Sequence, residues 1–111
     1  MHQKYLSLHS EFSLLGKKKY QELKRMKHSK WLYYSGKASP EEYEEKPFQY
    51  KVMKGDVANW VAVDEAVNNL ELQLEYYNEI KDTLTEILRQ INQMSFNIKN
   101  AITWRTFTGG V

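Results

Sequence analysis

The chain contains no cysteine, only two prolines (Pro40 and Pro47) and five glycines in 111 residues. Without cysteine there is no disulfide staple, no thiol nucleophile and no thiolate metal site, a usage that fits a reducing compartment. No run of about 18 apolar residues occurs, so nothing in the sequence is expected to span a membrane. The opening Met1-His2-Gln3-Lys4-Tyr5 does not lead into the apolar run and cleavage site of a secretory signal. Apolar material is scarce, because the 41 % hydrophobic fraction includes eight tyrosines. Leu, Ile, Val and Phe still number 26, above the rough 20 % line below which chains stay disordered. The nucleotide-binding words Gly-x-Gly-x-x-Gly and Gly-x-x-x-x-Gly-Lys-Ser/Thr and the nucleophile word Gly-x-Ser-x-Gly are also missing. No catalytic site and no cofactor are therefore expected.

Charge is present but segregated. Residues 1–37 hold eight Lys and one Arg against Glu11 and Glu22, a net of +7, inside a chain whose total is +2. Residues 55–111 are net −4. A basic third points to an anionic partner: nucleic acid, an acidic protein or a membrane surface. The membrane reading is the weakest, because the apolar face opposite the lysines is modest and Glu22 interrupts the cluster.

Proline-free stretches place two long helices. Tyr5, Leu8, Phe12 and Leu15 step by 3, 4 and 3, one face of a helix over residues 3–34, with Gly16 marking a kink or a close contact and Ser35-Gly36 the stop. The second runs over residues 64–108, opened by Asp64 as cap and Glu65 in the first turn. Its face passes from Val67, Leu70, Leu74 and Tyr77 into Ile80, Leu84, Ile87, Ile91, Met94 and Ile98, widened by Leu88. Poor helix propensity at residues 92–95 marks a place for a break. In the connector, residues 35–63, Ser39-Pro40-Glu41-Glu42 reads as a capped short helix. Alternation at Phe48, Tyr50 and Val52 predicts a strand, and residues 60–63 a second one across a Lys54-Gly55-Asp56 turn.

The expected fold is thus a mainly α, elongated single domain over residues 1–111. A helix over 3–34 is about 48 Å long, against a diameter of about 34 Å for a compact domain of this size. Such a chain leaves its apolar stripes wet unless other copies cover them, the alternative being a bent hairpin of helices that buries its own stripe. Leu84, Ile87, Leu88, Ile91, Met94 and Ile98 are the expected contact between copies of a homo-oligomer.

Eight of the nine basic residues of the N-terminal third lie between Lys17 and Lys37, among Tyr20, Trp31, Tyr33 and Tyr34. Lys17, Tyr20, Lys24, Lys27, Trp31 and Tyr34 share one helix face. Cations neutralise phosphates and rings stack on unpaired bases, so the mixture favours a single strand over a duplex. The alternative is that Trp31, Tyr33 and Tyr34 pack in a core while the lysines solvate the helix. Lys30 lies toward the apolar stripe of Leu23 and Met26. His2 and His9 are seven residues apart, about 10.5 Å along a helix and too far to share a metal; with His28 they read as surface histidines. Glu41, Glu42, Glu44 and Glu45 read as a solvated acidic connector without the spacing of a metal loop. No metal site is expected.

At Trp31-Leu32-Tyr33-Tyr34-Ser35-Gly36 the chain resembles the UvsY recombination mediators of T-even-like phages. In that family a basic helix runs into a Tyr-Tyr-Ser-Gly turn, then an acidic stretch, matched by residues 41–46, a variable connector and a long C-terminal helix. The order matches from about residue 5 onward, and the chain looks like a divergent, cyanophage-type member. The resemblance implies a ring-forming homo-oligomer, a hexamer or heptamer, that binds single-stranded DNA. It further implies help in loading a RecA-like recombinase onto DNA covered by the phage single-strand-binding protein, in the cytoplasm of the infected bacterium. The family's two basic positions before the tyrosine pair fall on His28 and Lys30; an imidazole is the weaker cation, and Lys27 lies beside it. Lys24, Arg25, Lys27, His28, Lys30, Trp31, Tyr33, Tyr34 and Lys37 are the expected DNA contacts. The competing function is a helical adaptor whose basic face binds an acidic protein.

Overall fold

A computed structural model describes residues 2–109 of the chain, with side chains through residue 102. Four helices follow one another: α1 (His2–Tyr34), α2 (Pro40–Glu45), α3 (Val57–Ala62) and α4 (Glu65–Gly109). The protein is mainly helical, and among the described residues there is no strand.

Each boundary has a local cause. α1 ends because Gly36 adopts φ +80°, a left-handed value that L side chains rarely take. The Lys37 N–H then donates to the Leu32 carbonyl at 2.9 Å and the Gly36 N–H to Tyr33 at 3.3 Å. This is the paired helix stop that satisfies the last orphan carbonyls. Ser39 caps α2 by accepting the Glu42 N–H at 3.4 Å, with Pro40 in the first turn. Asp64 caps α4, accepting the Val67 N–H at 3.1 Å. α4 runs unbroken through residues 92–95, correcting the expected break. Asn and Ser cost only a few tenths of a kcal/mol each inside a helix, too little to interrupt one this long.

The chain forms two compact units. The first, residues 15–76, holds the main core: Leu23 of α1, Val57 and Val61 of α3, and Val67 and Leu70 of α4. Met26, Trp31, Tyr34, Val52 and Leu74 pack against it. Here the expected hairpin is corrected. Val57 and Val61, one turn apart, are both buried, whereas Val63 is 73 % exposed. A strand over 60–63 would instead put residues 61 and 63 on the same face. With residues 57–62 helical, the run at 47–53 has no partner strand among the described residues and is irregular.

The second unit joins residues 1–14 to residues 77–111. Phe12 and Tyr77 meet ring to ring at 6.1 Å. His9 Nε2 lies 2.9 Å from Thr85 Oγ1, so this histidine is half-buried and partnered, not a plain surface residue. Of the stripe expected between copies, Leu84 is buried within the chain itself. Ile87, Leu88 and Ile91 are half-buried. Met94 and Ile98 are 62 % and 57 % exposed, with Phe96 beside them at 59 %. Leu84 therefore belongs to this unit's own packing, and the exposed part of the stripe lies further along α4.

Candidate nucleic-acid interface

The basic segment divides into an exposed and a built-in half. Lys17, Lys18, Lys24, Arg25, Lys27 and His28 are exposed along α1, and Lys37 just past its end. Lys24 Nζ lies 5.6 Å from the centre of the Tyr20 ring and Lys37 Nζ 5.2 Å from that of Trp31. Lys27 faces Glu71 at 3.6 Å, a solvent-exposed pair. Lys19 pairs with Glu22 at 3.2 Å.

Lys30 behaves differently. Leu23, Met26, Lys30 and Tyr34 step by 3, 4 and 4, which brings the lysine onto the packed face of α1. Its ammonium lies 3.5 Å from Asp64 Oδ2, and both side chains are largely buried. The Tyr34 hydroxyl donates to the same oxygen at 2.5 Å. Burial pushes the Asp64 carboxyl up, but the Tyr34 hydrogen bond, the Val67 N–H and the Lys30 ammonium together hold it below the usual carboxylate range. Burial and the bond to Asp64 push the Tyr34 hydroxyl well above the ordinary phenol value. Asp64 is thus a fixed anion serving two helices, and Lys30 is its counter-charge.

Trp31, Tyr33 and Tyr34 are all half-buried. Trp31 and Tyr34 pack against the core. Tyr33 stacks on Tyr43 at 5.3 Å and donates its hydroxyl to the Lys46 carbonyl at 2.7 Å. The Tyr43 hydroxyl in turn donates to the Tyr33 carbonyl at 2.6 Å. Burial and the neighbouring Tyr43, Glu42 and Asp64 raise the Tyr33 hydroxyl. Phe48 touches Tyr33, Tyr34, Trp60 and Tyr50 at 5.1–5.7 Å, closing a six-ring cluster. The word Tyr33-Tyr34-Ser35-Gly36 is therefore a structural device: two rings that seat the connector, followed by a helix stop.

Sequence reasoning missed Tyr43, Phe48, Trp60 and the second role of Asp64. A single aspartate before a periodic run announces a cap but gives no sign of partners 30 and 34 residues upstream. Among the described residues no three His, Cys, Asp or Glu side chains gather to hold a metal ion. Among them, too, no helix is long and apolar enough to cross a membrane.

A family model described as recombination, repair and ssDNA binding protein UvsY matches residues 1–111. No curated protein and no solved structure matches the chain.

Proposed function

Because the chain belongs to the UvsY family of recombination, repair and single-stranded-DNA-binding proteins, we propose that it is a recombination mediator. It holds single-stranded DNA on the basic face of α1 and helps load a RecA-like recombinase onto DNA covered by the phage single-strand-binding protein. It does so without catalysis, in the cytoplasm of the infected bacterium.

The observation that carries this reading is the family match over the whole chain. The geometry supports a division of labour. Lys17, Lys18, Lys24, Arg25 and Lys37 are exposed and form no ion pair among the described residues, so they meet phosphates directly. Lys27 joins them: an exposed pair such as Lys27–Glu71 is worth only about 0–1 kcal/mol, so a phosphate replaces the carboxylate at little cost. His28 lies beside Lys27 and is equally exposed. Lys30, Trp31, Tyr33 and Tyr34 shape and hold this end of the helix. Several copies, in a ring of six or seven, gather their weak basic faces on one strand through the exposed part of α4 around Met94, Phe96 and Ile98. Titration of an oligonucleotide at several salt concentrations tests the DNA contact. Binding that weakens steeply with salt is expected, and no binding at low salt overturns the reading.

A further inference from the structure

We propose that the groove beside Tyr50 takes an unpaired nucleobase, stacked on the Tyr50 ring, with an adjoining phosphate held by Lys51. The inference rests on the single-stranded-DNA reading above and names where the bases go.

A stacking platform needs a ring that is held and yet open. The rings expected to stack from the sequence are Trp31, Tyr33 and Tyr34: Trp31 packs against the core with Lys37 over it, and Tyr33 and Tyr34 are occupied by one another and by Tyr43 and Phe48. Tyr50 meets both conditions. It is 70 % exposed, while Phe48 and Trp60 support it at 5.7 and 5.6 Å. Those supports are fixed by Tyr33 and Tyr34, which α1 positions. A ring braced in this way loses little freedom on binding, which favours affinity.

The groove next to it measures about 400 Å³ and is lined by Gly36, Tyr43, Phe48, Tyr50 and Lys51 among others. Among the described residues that line it, Lys51 is the one cation and there is no carboxylate. Three further grooves of the same unit each carry carboxylates. Glu71 sits in the one by Trp31. Asp64 and Glu65 sit in the one by Trp60, and Glu42 and Glu45 in the one by Ser29. Lysines balance those carboxylates, Lys27 in the first and Lys30 with Lys46 in the other two, so of the four grooves the one by Tyr50 has the net positive lining that attracts an anionic strand. Gly36 lines this groove, and the exposed Lys37 follows it in the chain with its ammonium over Trp31. Aromatic lining, a single positive charge and no negative one match a base with its phosphate.

The test compares two strands of equal length and equal phosphate number, one of thymidylates and one of abasic units. Wild type is expected to bind the base-bearing strand more tightly. Tyr50→Ala is expected to lose roughly 5- to 100-fold on that strand, the range for one stacked base, and nothing on the abasic one. Tyr50→Phe, which keeps the ring, retains wild-type affinity for both. Equal weakening on both strands, or no weakening on either, overturns the inference while leaving the DNA reading intact. If wild type binds neither strand, the DNA reading itself has failed. A 5-iodouracil strand photo-crosslinked to wild-type protein reads the same contact without substitution: a crosslink at Tyr50 is expected, and crosslinks confined to other residues overturn the assignment.

Discussion

The Tyr34 hydroxyl donates to Asp64 Oδ2 at 2.5 Å, tying the last residue of α1 to the residue that caps α4. A buried carboxylate is costly unless it is paired and hydrogen-bonded. Here one carboxylate meets a phenol, a backbone N–H and an ammonium, three partners that offset the cost of burial. That single anion fixes the end of the basic helix relative to the connector and α4 within this unit.

Tyr34→Phe removes one hydrogen bond to a charged acceptor and keeps the ring in its cluster. It is expected to cost about 1.5–3 kcal/mol, which lowers the melting temperature by roughly 4 °C per kcal/mol in a domain of this size. Asp64→Ala is expected to cost more, because the cap of α4 goes as well and Lys30 is left without its counter-charge. Thermal unfolding followed by far-UV circular dichroism measures both. A Tyr34→Phe protein as stable as wild type removes Asp64 from its central place.

The same anion makes stability pH-dependent. The Asp64 carboxyl lies below its ordinary value in the folded chain, so its contribution is fully present above the unfolded value of about 4. It is lost as pH falls through the lower, folded value. Wild type is therefore expected to lose denaturant resistance below about pH 4 more steeply than Asp64→Asn, which has no charge to lose. The Tyr34 hydroxyl is raised, so its contribution is present below about pH 10 and lost as the solution becomes more alkaline. Tyr34→Phe is expected to flatten that alkaline limb. Urea midpoints from pH 3 to 11 record both limbs, and parallel curves for wild type and variants contradict the assignment.

Assembly is expected through the exposed part of α4. Ile98→Asp places a charge where the side chain is 57 % exposed, so helix content is expected to stay unchanged. If another copy covers this face, the buried charge costs several kcal/mol and the oligomer falls to smaller species. Leu84→Asp, at a buried position, is expected to disturb the fold instead. Size exclusion with light scattering separates the two: a wild-type monomer at micromolar concentration, or an Ile98→Asp protein of wild-type mass, refutes the contact.

Much of the fold was legible because its signals are local. Apolar spacing marked α1 and α4, Ser39-Pro40 marked α2, and Gly36 marked the helix stop. α3 was not legible, because six residues give too short a window to separate a helical Val57–Val61 pair from alternation. The inward position of Lys30 followed from its place beside Leu23 and Met26, but its partner did not, since Asp64 lies 34 residues away. Aromatic residues announced themselves without saying which were supports and which was open. Tyr33 and Tyr34 drew attention by standing beside lysines, whereas Tyr50 is distinguished only by what packs behind it.

The central claim is that exposed cations of α1 hold single-stranded DNA, with Lys30 acting through Asp64. The most direct measurement is the salt dependence of oligonucleotide affinity for wild type, for Lys24→Ala with Arg25→Ala, and for Lys30→Ala. Each phosphate neutralised contributes about −0.7 to the log–log slope on a single strand. The double variant is expected to flatten the slope by roughly one to two units, more if several subunits share a strand. Lys30→Ala is expected to keep the wild-type slope and to lose thermal stability. A double variant with unchanged slope, or a Lys30→Ala protein of full stability and flattened slope, contradicts the account.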